Sequence, residues 1–107
     1  MYKVLLDENL PVKIKYRLQD VREIYTVTDK GWNSLENGDL ISAMQKDSFD
    51  YLITSDKNLQ YQQDLTQYSI GFIVLNVIDN NYETILPMLE KIKQTLHDEL
   101  KSNLIVI

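Results

Sequence analysis

The chain has 107 residues, of which 44% are hydrophobic and 25% are charged, so it can form one core of ordinary composition but not two. It contains no cysteine, which excludes disulfides, thiolate catalysis and cysteine-ligated zinc. The formal net charge of −5 counts against broad, phosphate-driven binding of nucleic acid. That charge leaves open an enzyme that holds a phosphodiester through metal ions, and it suits docking on a basic partner.

The predicted elements alternate between strands and helices, which predicts an α/β fold with a parallel sheet. The predicted strands lie at residues 3–7, 23–27, 49–54, 71–75 and 104–107. Between the first two strands is a helix with Leu10, Ile14 and Leu18 on one face; a loop at 29–33 and a helix at 39–46 follow the second strand, and a helix at 58–65 follows the third. The last predicted helix, before the terminal strand, has Leu86, Leu89, Ile92 or Lys93, and Leu96 on its apolar face. Pro11 and Pro87 fall early in their helices, where proline is tolerated.

The amino-terminal sequence lacks the architecture of a signal peptide, and no apolar stretch approaches the length that spans a membrane. No internal repeat or linker is visible. We therefore expect a single domain over residues 1–107 and a cytoplasmic protein that does not enter a membrane.

Two aspartates stand directly after apolar, strand-like runs. Asp7 ends the run that begins at Tyr2, and Asp56 follows residues 51–55. In an open parallel sheet, ligands bind in the crevice beyond the carboxyl ends of the strands. If the two runs are neighbours, both carboxylates reach one place, and a hard divalent cation is the common way to relieve their repulsion.

Other polar residues belong to the same predicted edge of the sheet. They are Glu8 and Asn9 after the first strand, Asp29 after the second, Glu36 and Asp39 at the entrance of the second helix, and Lys57 and Asn58 after the third strand. Each acid, taken singly, is typical of a helix cap that binds unpaired backbone N–H groups. Taken together, the acids indicate a metal site about as strongly as they indicate caps.

Several of these segments resemble PIN-domain nucleases. Residues 38–43 (GDLISA) and 52–59 (LITSDKNL) are similar to two motifs of that family, the second of the form Thr-x-Asp-x-Asx-Leu. Residues 5–11, the Asp29-x-Gly31-Trp32 segment and residues 56–63 resemble a short bacterial branch of PIN-like proteins. The matches are spread over residues 3–75.

The resemblance implies a PIN-like three-layer sandwich, with a mostly parallel central sheet of about five strands flanked by helices. It implies a Mg²⁺- or Mn²⁺-dependent ribonuclease, often the toxin that pairs with an antitoxin protein. Carried over by position, Asp7, Asp39 and Asp56 are the catalytic and metal-binding acids, and Glu36 is a further metal ligand. The pattern departs from the family's because a glutamate on an intervening helix is missing and only Glu36 stands nearby, so the site could hold one metal ion rather than two.

The implied chemistry is metal-assisted hydrolysis of a phosphodiester in RNA. Asp7 or Asp56 could orient the attacking water, and Asn58 could fix a neighbouring carboxylate, while Glu8 and Asn9 lie beside Asp7 and support it. Lys57 could contact a phosphate, although a solvated lysine is the preferred interpretation.

Two other functions remain open from the sequence. One is a catalytically silent PIN-like module that binds a partner protein, with its acids serving as caps. The other is a receiver-like signalling domain, which also carries acids after its first and third strands. The receiver interpretation is disfavoured because strand four is not followed by a hydroxyl residue and strand five is not followed by lysine. The apolar terminal strand suggests a homodimer formed through a sheet edge, but an internal strand fits it equally well.

Three further features favour structural roles. His97, the single histidine, is expected on a solvated helix surface, and Trp32 is expected to close the edge of the core. The segment 61–63 (YQQ) could line a groove, but an ordinary helix surface is the preferred interpretation.

Overall fold

The computed structural model describes residues 3–98 and 103–107, and within them the chain forms a five-stranded sheet. The strands are β1 (Lys3–Leu6), β2 (Glu23–Thr26), β3 (Tyr51–Thr54), β4 (Gly71–Val74) and β5 (Leu104–Val106). They lie in the order β2-β1-β3-β4-β5, and every neighbouring pair is parallel. Tyr2, where the first predicted run begins, lies outside the described residues.

Six α-helices and two 3₁₀ turns connect the strands in the described residues. The helices are α1 (Lys13–Leu18), α2 (Val27–Lys30), α3 (Asn37–Lys46), α4 (Leu59–Gln62), α5 (Tyr82–Ile85) and α6 (Leu89–Asp98), and the 3₁₀ turns are Leu65–Gln67 and Leu86–Met88.

Helices cover both faces of the sheet, which gives three layers and two buried apolar clusters. The cluster on the first face joins the strands to α1, α5 and α6, and includes Ile14, Leu18, Ile85, Leu89, Ile92 and Leu96. The cluster on the second face joins them to α2, α3 and α4, and includes Val27, Leu40, Ile41, Met44 and Leu59. A strand that is covered on both faces must be apolar on both, and β4 accordingly has Phe72, Ile73 and Val74 all buried. The predicted α/β fold with about five mostly parallel strands is therefore confirmed.

The segment after β2 differs from its prediction. Val27 was predicted to end the strand and residues 29–33 to form a loop, but residues 27–30 form a short helix. Thr26 and Asp29 make a capping box in which each side chain accepts a hydrogen bond from the other's backbone N–H. Gly31 ends this helix in the left-handed conformation, at φ +71°.

The predicted fourth helix is divided into α5, a 3₁₀ turn and α6. The division falls at Pro87, which has no N–H to donate within a helix. Leu86, predicted as a core position, is exposed, and its neighbour Ile85 is fully buried instead. Similarly, α4 ends at Gln62 because Gln63 is extended, and a 3₁₀ turn capped by Asp64 follows.

Three smaller expectations have clear outcomes. Strand β5 lies at an edge of the described sheet, beside β4, and is not internal. His97 is 81% exposed on α6, next to Asp98, and Trp32 packs against the second cluster edge-on to Phe49, so both structural interpretations are confirmed. Among residues 3–98 and 103–107, every helix is too short or too polar to cross a lipid bilayer.

Candidate functional site

The register of β1 against β3 brings the first aspartate next to the third strand. Leu6 pairs with Ile53, so Asp7 and Thr54 are the next neighbours in the two parallel strands. The backbone N–H of Asp7 continues the ladder by donating to the carbonyl of Ile53 over 3.0 Å. The chain therefore holds Asp7 at the carboxyl end of the sheet through its main chain.

The Thr54 side chain connects the two aspartates. Its hydroxyl donates to Oδ2 of Asp7 over 2.6 Å and accepts the backbone N–H of Asp56 over 3.0 Å. Thr54 is 0% exposed, so this hydroxyl has no competing contact with bulk water. A buried hydroxyl with a donor and an acceptor partner is satisfied, and it fixes the position of both neighbours.

The Asp7 carboxyl lies in an environment that disfavours its charge. Burial raises the pKa of Asp7, and repulsion by the carboxylates of Glu8 and Asp56 raises it further. The hydrogen bonds from Thr54 and from the backbone N–H of Glu8 lower this pKa but do not reverse the shift. The negative charge of Asp7 is thus only partly compensated by the groups around it.

Asp56 is held by two further contacts. The backbone N–H of Asn58 donates to its Oδ1 over 3.0 Å, so Asn58 does contact a site carboxylate, but through its main chain. The Asn37 side-chain amide, from the start of α3, makes a long hydrogen bond of 3.4 Å to Oδ2 of Asp56. Neither Asn37 nor Thr54 was predicted to contribute to this site, although Thr54 is the first residue of the Thr-x-Asp motif at 54–56.

No described lysine, arginine or histidine forms an ion pair with Asp7 or Asp56. The ion pairs in the described part of the chain join Lys3 and Lys30 to Asp47, Lys15 to Asp29, Lys93 to Asp20 and His97 to Asp98. Within the described residues, these two partly buried carboxylates therefore lack the cationic side chain that normally accompanies buried acids.

The other predicted ligands lie farther out on this rim. Glu36 and Asp39 are exposed at the start of α3, where Glu36 occupies the N-cap position without a side-chain capping bond. Within residues 3–98 and 103–107, no group of three or more Asp, Glu, His or Cys side chains is close enough to hold a metal ion. The structure thus brings together Asp7 and Asp56, and Asp39 and Glu36 do not join them in such a group.

The supporting residues are mostly exposed. Glu8, Asn9, Lys57 and Asn58 all have exposed side chains. Oε2 of Glu8 accepts a long hydrogen bond of 3.4 Å from the Asn33 amide, which also donates to the Thr28 hydroxyl over 2.9 Å. Their positions agree with a solvated rim around a more buried carboxylate pair.

Asp29 is a structural acid. It closes the capping box of α2 and forms an ion pair with Lys15, with an Nζ–Oδ2 distance of 2.8 Å. The hydrogen bond from Lys15 is the main cause that lowers the pKa of Asp29. The signal was present in the sequence, because Thr26-Val27-Thr28-Asp29 has the Thr-x-x-Asp form of a capping box.

A groove of about 450 Å³ opens beside the aspartate pair. It is lined by Glu36, Asn37, Gly38, Gln62 and Gln63, from the start of α3 and the end of α4. Asn37 connects the groove to the carboxylates, because its Nδ2 lies 3.4 Å from Oδ2 of Asp56 and 3.3 Å from Oε1 of Gln62. Gln62 and Gln63 line this open groove, while Tyr61 is 80% exposed and Gln62 is exposed, so the segment also lies on the helix surface as expected.

The pair lies where the sheet reverses its winding. From β1 the chain moves outward to β2, and then returns to place β3 on the other side of β1. In open α/β sheets, the crevice at such a reversal is the usual ligand site, because the connections on its two sides diverge. Comparisons with protein-family models, with curated proteins and with solved structures found no match.

Proposed function

We propose that this protein is a Mg²⁺- or Mn²⁺-dependent ribonuclease, with Asp7 and Asp56 as its principal metal-binding and catalytic carboxylates. The observation that carries the proposal is the Thr54 hydroxyl, which contacts both Asp7 and the backbone of Asp56 at the reversal of the sheet. A buried threonine that fixes two mutually repelling acids suits a cation site, because hydrogen bonds of this kind orient metal ligands.

The donor set fits a hard divalent ion. Mg²⁺ keeps several of its waters and is usually bound by one or two carboxylates together with substrate phosphates, so two aspartates are sufficient. Each oxygen of a carboxylate has two acceptor positions, and the hydrogen bonds described to Asp7 and Asp56 leave room for a ligand. Burial is the main cause that raises the pKa of Asp7, and repulsion by Glu8 and Asp56 adds to it; a cation would offset both by favouring the charged carboxylate.

The choice of RNA as substrate rests on the resemblance to PIN-domain nucleases. The resemblance includes Asp7, Asp39 and Asp56, and it also implies an antitoxin protein as a partner. Asp39 and Glu36 remain predicted ligands, and from the exposed start of α3 they would act through bound water.

The chain's own residues have separate roles in this mechanism. When bound, the metal ion would lower the pKa of a coordinated water and stabilise charge on a phosphoryl oxygen. Asp7 must be deprotonated to serve as a ligand, and its hydrogen bond from Thr54 favours that form. Asp7 or Asp56 would orient the attacking water, and Lys57, the exposed residue after Asp56 in the chain, would contact the phosphate.

The test combines metal binding with cleavage. In wild-type protein, Mn²⁺ should raise Tm, because a ligand that binds only the folded state stabilises it, and single-stranded RNA should be cut. Asp7→Asn and Asp56→Asn should abolish both effects and keep the fold, and Asp39→Asn should weaken them. Asp98→Asn, an exposed acid on α6, is the matched control and should behave as wild type.

The opposite result separates this proposal from a silent, partner-binding module. If Mn²⁺ does not change the Tm of the wild-type protein and no RNA is cut, the acids are not a metal site and the nuclease proposal is wrong. Full activity in Asp7→Asn and Asp56→Asn would remove these residues from the mechanism.

One observation favours a second candidate, a receiver-like phosphoacceptor domain. The strand order β2-β1-β3-β4-β5 is the flavodoxin-like order, and acids follow β1 and β3 as such a domain requires. Against it, β4 is followed by Leu75 and Asn76 and β5 by Ile107, so the hydroxyl and the lysine that the reaction uses are missing at those positions. Stable phosphorylation of Asp56 by a small phosphodonor would establish this alternative.

A further inference from the structure

The groove beside Asp56 differs chemically from the carboxylate pair. Three of its five lining residues, Asn37, Gln62 and Gln63, end in primary amides, and Gly38 adds only backbone. Each amide offers one carbonyl acceptor and two N–H donors. The volume of the groove, about 450 Å³, falls within the range of small-ligand sites, roughly 300–1,000 Å³.

The charge of the groove argues against a phosphate as its occupant. Glu36 is the one charged residue in its lining, and it is negative. A group that hydrogen-bonds through a planar edge of donors and acceptors is the better match, and nucleobases present such edges. Asparagine and glutamine amides can pair with a base edge through two hydrogen bonds at once.

Amides are concentrated along this whole rim. Seven of the chain's eight asparagines lie between the end of a strand and the first turn of a helix that follows it, namely Asn9, Asn33, Asn37, Asn58, Asn76, Asn80 and Asn81. Asn37 donates to Asp56 itself, and Asn80 accepts over 2.5 Å from the hydroxyl of Ser55, the residue before Asp56. The rim therefore offers many neutral hydrogen-bonding groups.

The spacing fits one nucleotide. A single side chain, Asn37, separates the carboxylate pair from Gln62 in the groove, through contacts of 3.4 and 3.3 Å. A phosphate held at Asp7 and Asp56 would thus leave its own base close to the groove.

We propose that this groove is a base-binding subsite, which takes an unpaired nucleobase of single-stranded RNA and reads its edge through Asn37, Gln62 and Gln63. The inference rests on the proposed ribonuclease function and adds the class of substrate. A base inside an A-form duplex cannot enter the groove, since its pairing edge is already used and the major groove is too narrow for side chains.

Gly38 gives a way to close the groove without touching the amides. A Cβ at Gly38 would lie 3.7 Å from the Gln63 side-chain amide, which is an ordinary contact, so alanine fits and a longer side chain extends into the groove. Leucine also favours a helix more than glycine does, so Gly38→Leu should fold.

The experiment measures the anisotropy of fluorescein-labelled homopolymers of adenine, cytosine and uracil, equal in length, and of a duplex. It uses the full chain carrying Asp7→Asn, which should not cleave. We expect this protein to bind one homopolymer about tenfold tighter than the weakest, and to bind the duplex more weakly. Adding Gln62→Ala with Gln63→Ala, or Gly38→Leu, should bring the three affinities within about twofold. Gln45→Ala, an exposed glutamine near the end of α3, is the control and should keep the preference.

The outcomes for the groove and for the nuclease are distinct. A base preference that survives in both groove variants, equal binding of the three homopolymers, or equal binding of the duplex would overturn the base-binding subsite, even if Mn²⁺ still raises the Tm of the wild-type protein. A preference that the groove variants abolish, in a protein whose Tm does not respond to Mn²⁺, would support the subsite and overturn the ribonuclease.

Discussion

Two aspartates of this protein, Asp47 and Asp7, stand in opposite electrostatic settings. Asp47, close to the amino ends of β1 and β3, forms ion pairs with Lys3 and Lys30 at 3.4 and 2.6 Å. The hydrogen bond from Lys30 is the main cause that lowers the pKa of Asp47. Asp7, at the other end of β1, has no cationic partner among the described residues, and burial raises its pKa.

The surroundings of the two lysines reinforce this contrast. Nζ of Lys3 lies 4.5 Å from the centre of the Phe49 ring, and Nζ of Lys30 lies 5.5 Å from those of Tyr25 and Trp32. The positive charges are thus shared between a carboxylate and aromatic faces, which is a stabilising arrangement. At the other end of the sheet, no lysine, arginine or histidine within residues 3–98 and 103–107 forms an ion pair with Asp7 or Asp56.

Among the substitutions that test the difference between Asp7 and Asp47, Thr54→Val should have the largest effect. Valine keeps the shape of threonine but removes the hydroxyl that connects Asp7 to Asp56. We expect metal affinity and cleavage to fall about 10- to 100-fold, as for other residues that orient metal ligands. Thr54→Ser should restore most of this loss, because it returns the hydroxyl. Equal Mn²⁺ titrations of the valine and wild-type proteins would contradict the assigned role of Thr54.

Asp29→Ala tests a structural acid on the same rim. The substitution removes half of the capping box of α2, the hydrogen bond from the Thr26 backbone N–H to Oδ2 of Asp29, together with the ion pair with Lys15, so the free energy of unfolding should fall by about 1 kcal/mol. The rise of Tm caused by Mn²⁺ should stay as in wild type. Urea denaturation with and without Mn²⁺ measures both quantities, and a lost Mn²⁺ response would show that Asp29 contributes to metal binding.

Asp47→Asn tests the end of β1 at which the carboxylate is paired with two lysines. We expect a small fall in Tm at low salt, which shrinks as salt screens the pairs with Lys3 and Lys30. The Mn²⁺ response should not change. If Asp47→Asn removed the Mn²⁺ response while Asp7→Asn kept it, the metal site would lie at the Asp47 end of β1 and not at the Asp7 end.

The smallest effect concerns pH. Because burial raises the pKa of Asp7 in the folded protein, its contribution to stability is fully present below the ordinary value of 3.8 and is lost as the pH rises through the raised value. For Asp47, whose pKa is lowered, the contribution is present above the ordinary value and is lost as the pH falls through the lowered one. The Tm of Asp7→Asn, relative to wild type, should therefore increase with pH.

This pH prediction is measured in EDTA, from about pH 3 to about pH 7, so that metal binding does not contribute. The matched control is Asp47→Asn, whose Tm relative to wild type should change in the opposite direction, decreasing as the pH rises. A constant difference between Asp7→Asn and wild type would show that Asp7 has the same pKa in the folded and unfolded chains.

Much of the architecture is encoded locally. The apolar runs predicted the five strands, and the spacing of Leu10, Ile14 and Leu18 predicted a helix face that is buried in the structure. Local chemistry also explains two incorrect predictions, the loop in place of α2 and the unbroken fourth helix. The capping box at Thr26 and Asp29 and the break at Pro87 are both visible in the sequence. Such features depend on residues a few positions apart, and a sequence displays them directly.

The site depended on tertiary structure. The sequence indicated that Asp7 and Asp56 follow strands, but only the order of the sheet made β1 and β3 neighbours, and only their register set Thr54 beside Asp7. It likewise could not show that Asn37 reaches Asp56 or that Gln62 lines a groove. The physical reason is that Asp7 and Thr54, 47 residues apart along the chain, meet only through the packing of the whole sheet, and a local sequence pattern contains no information on such a contact.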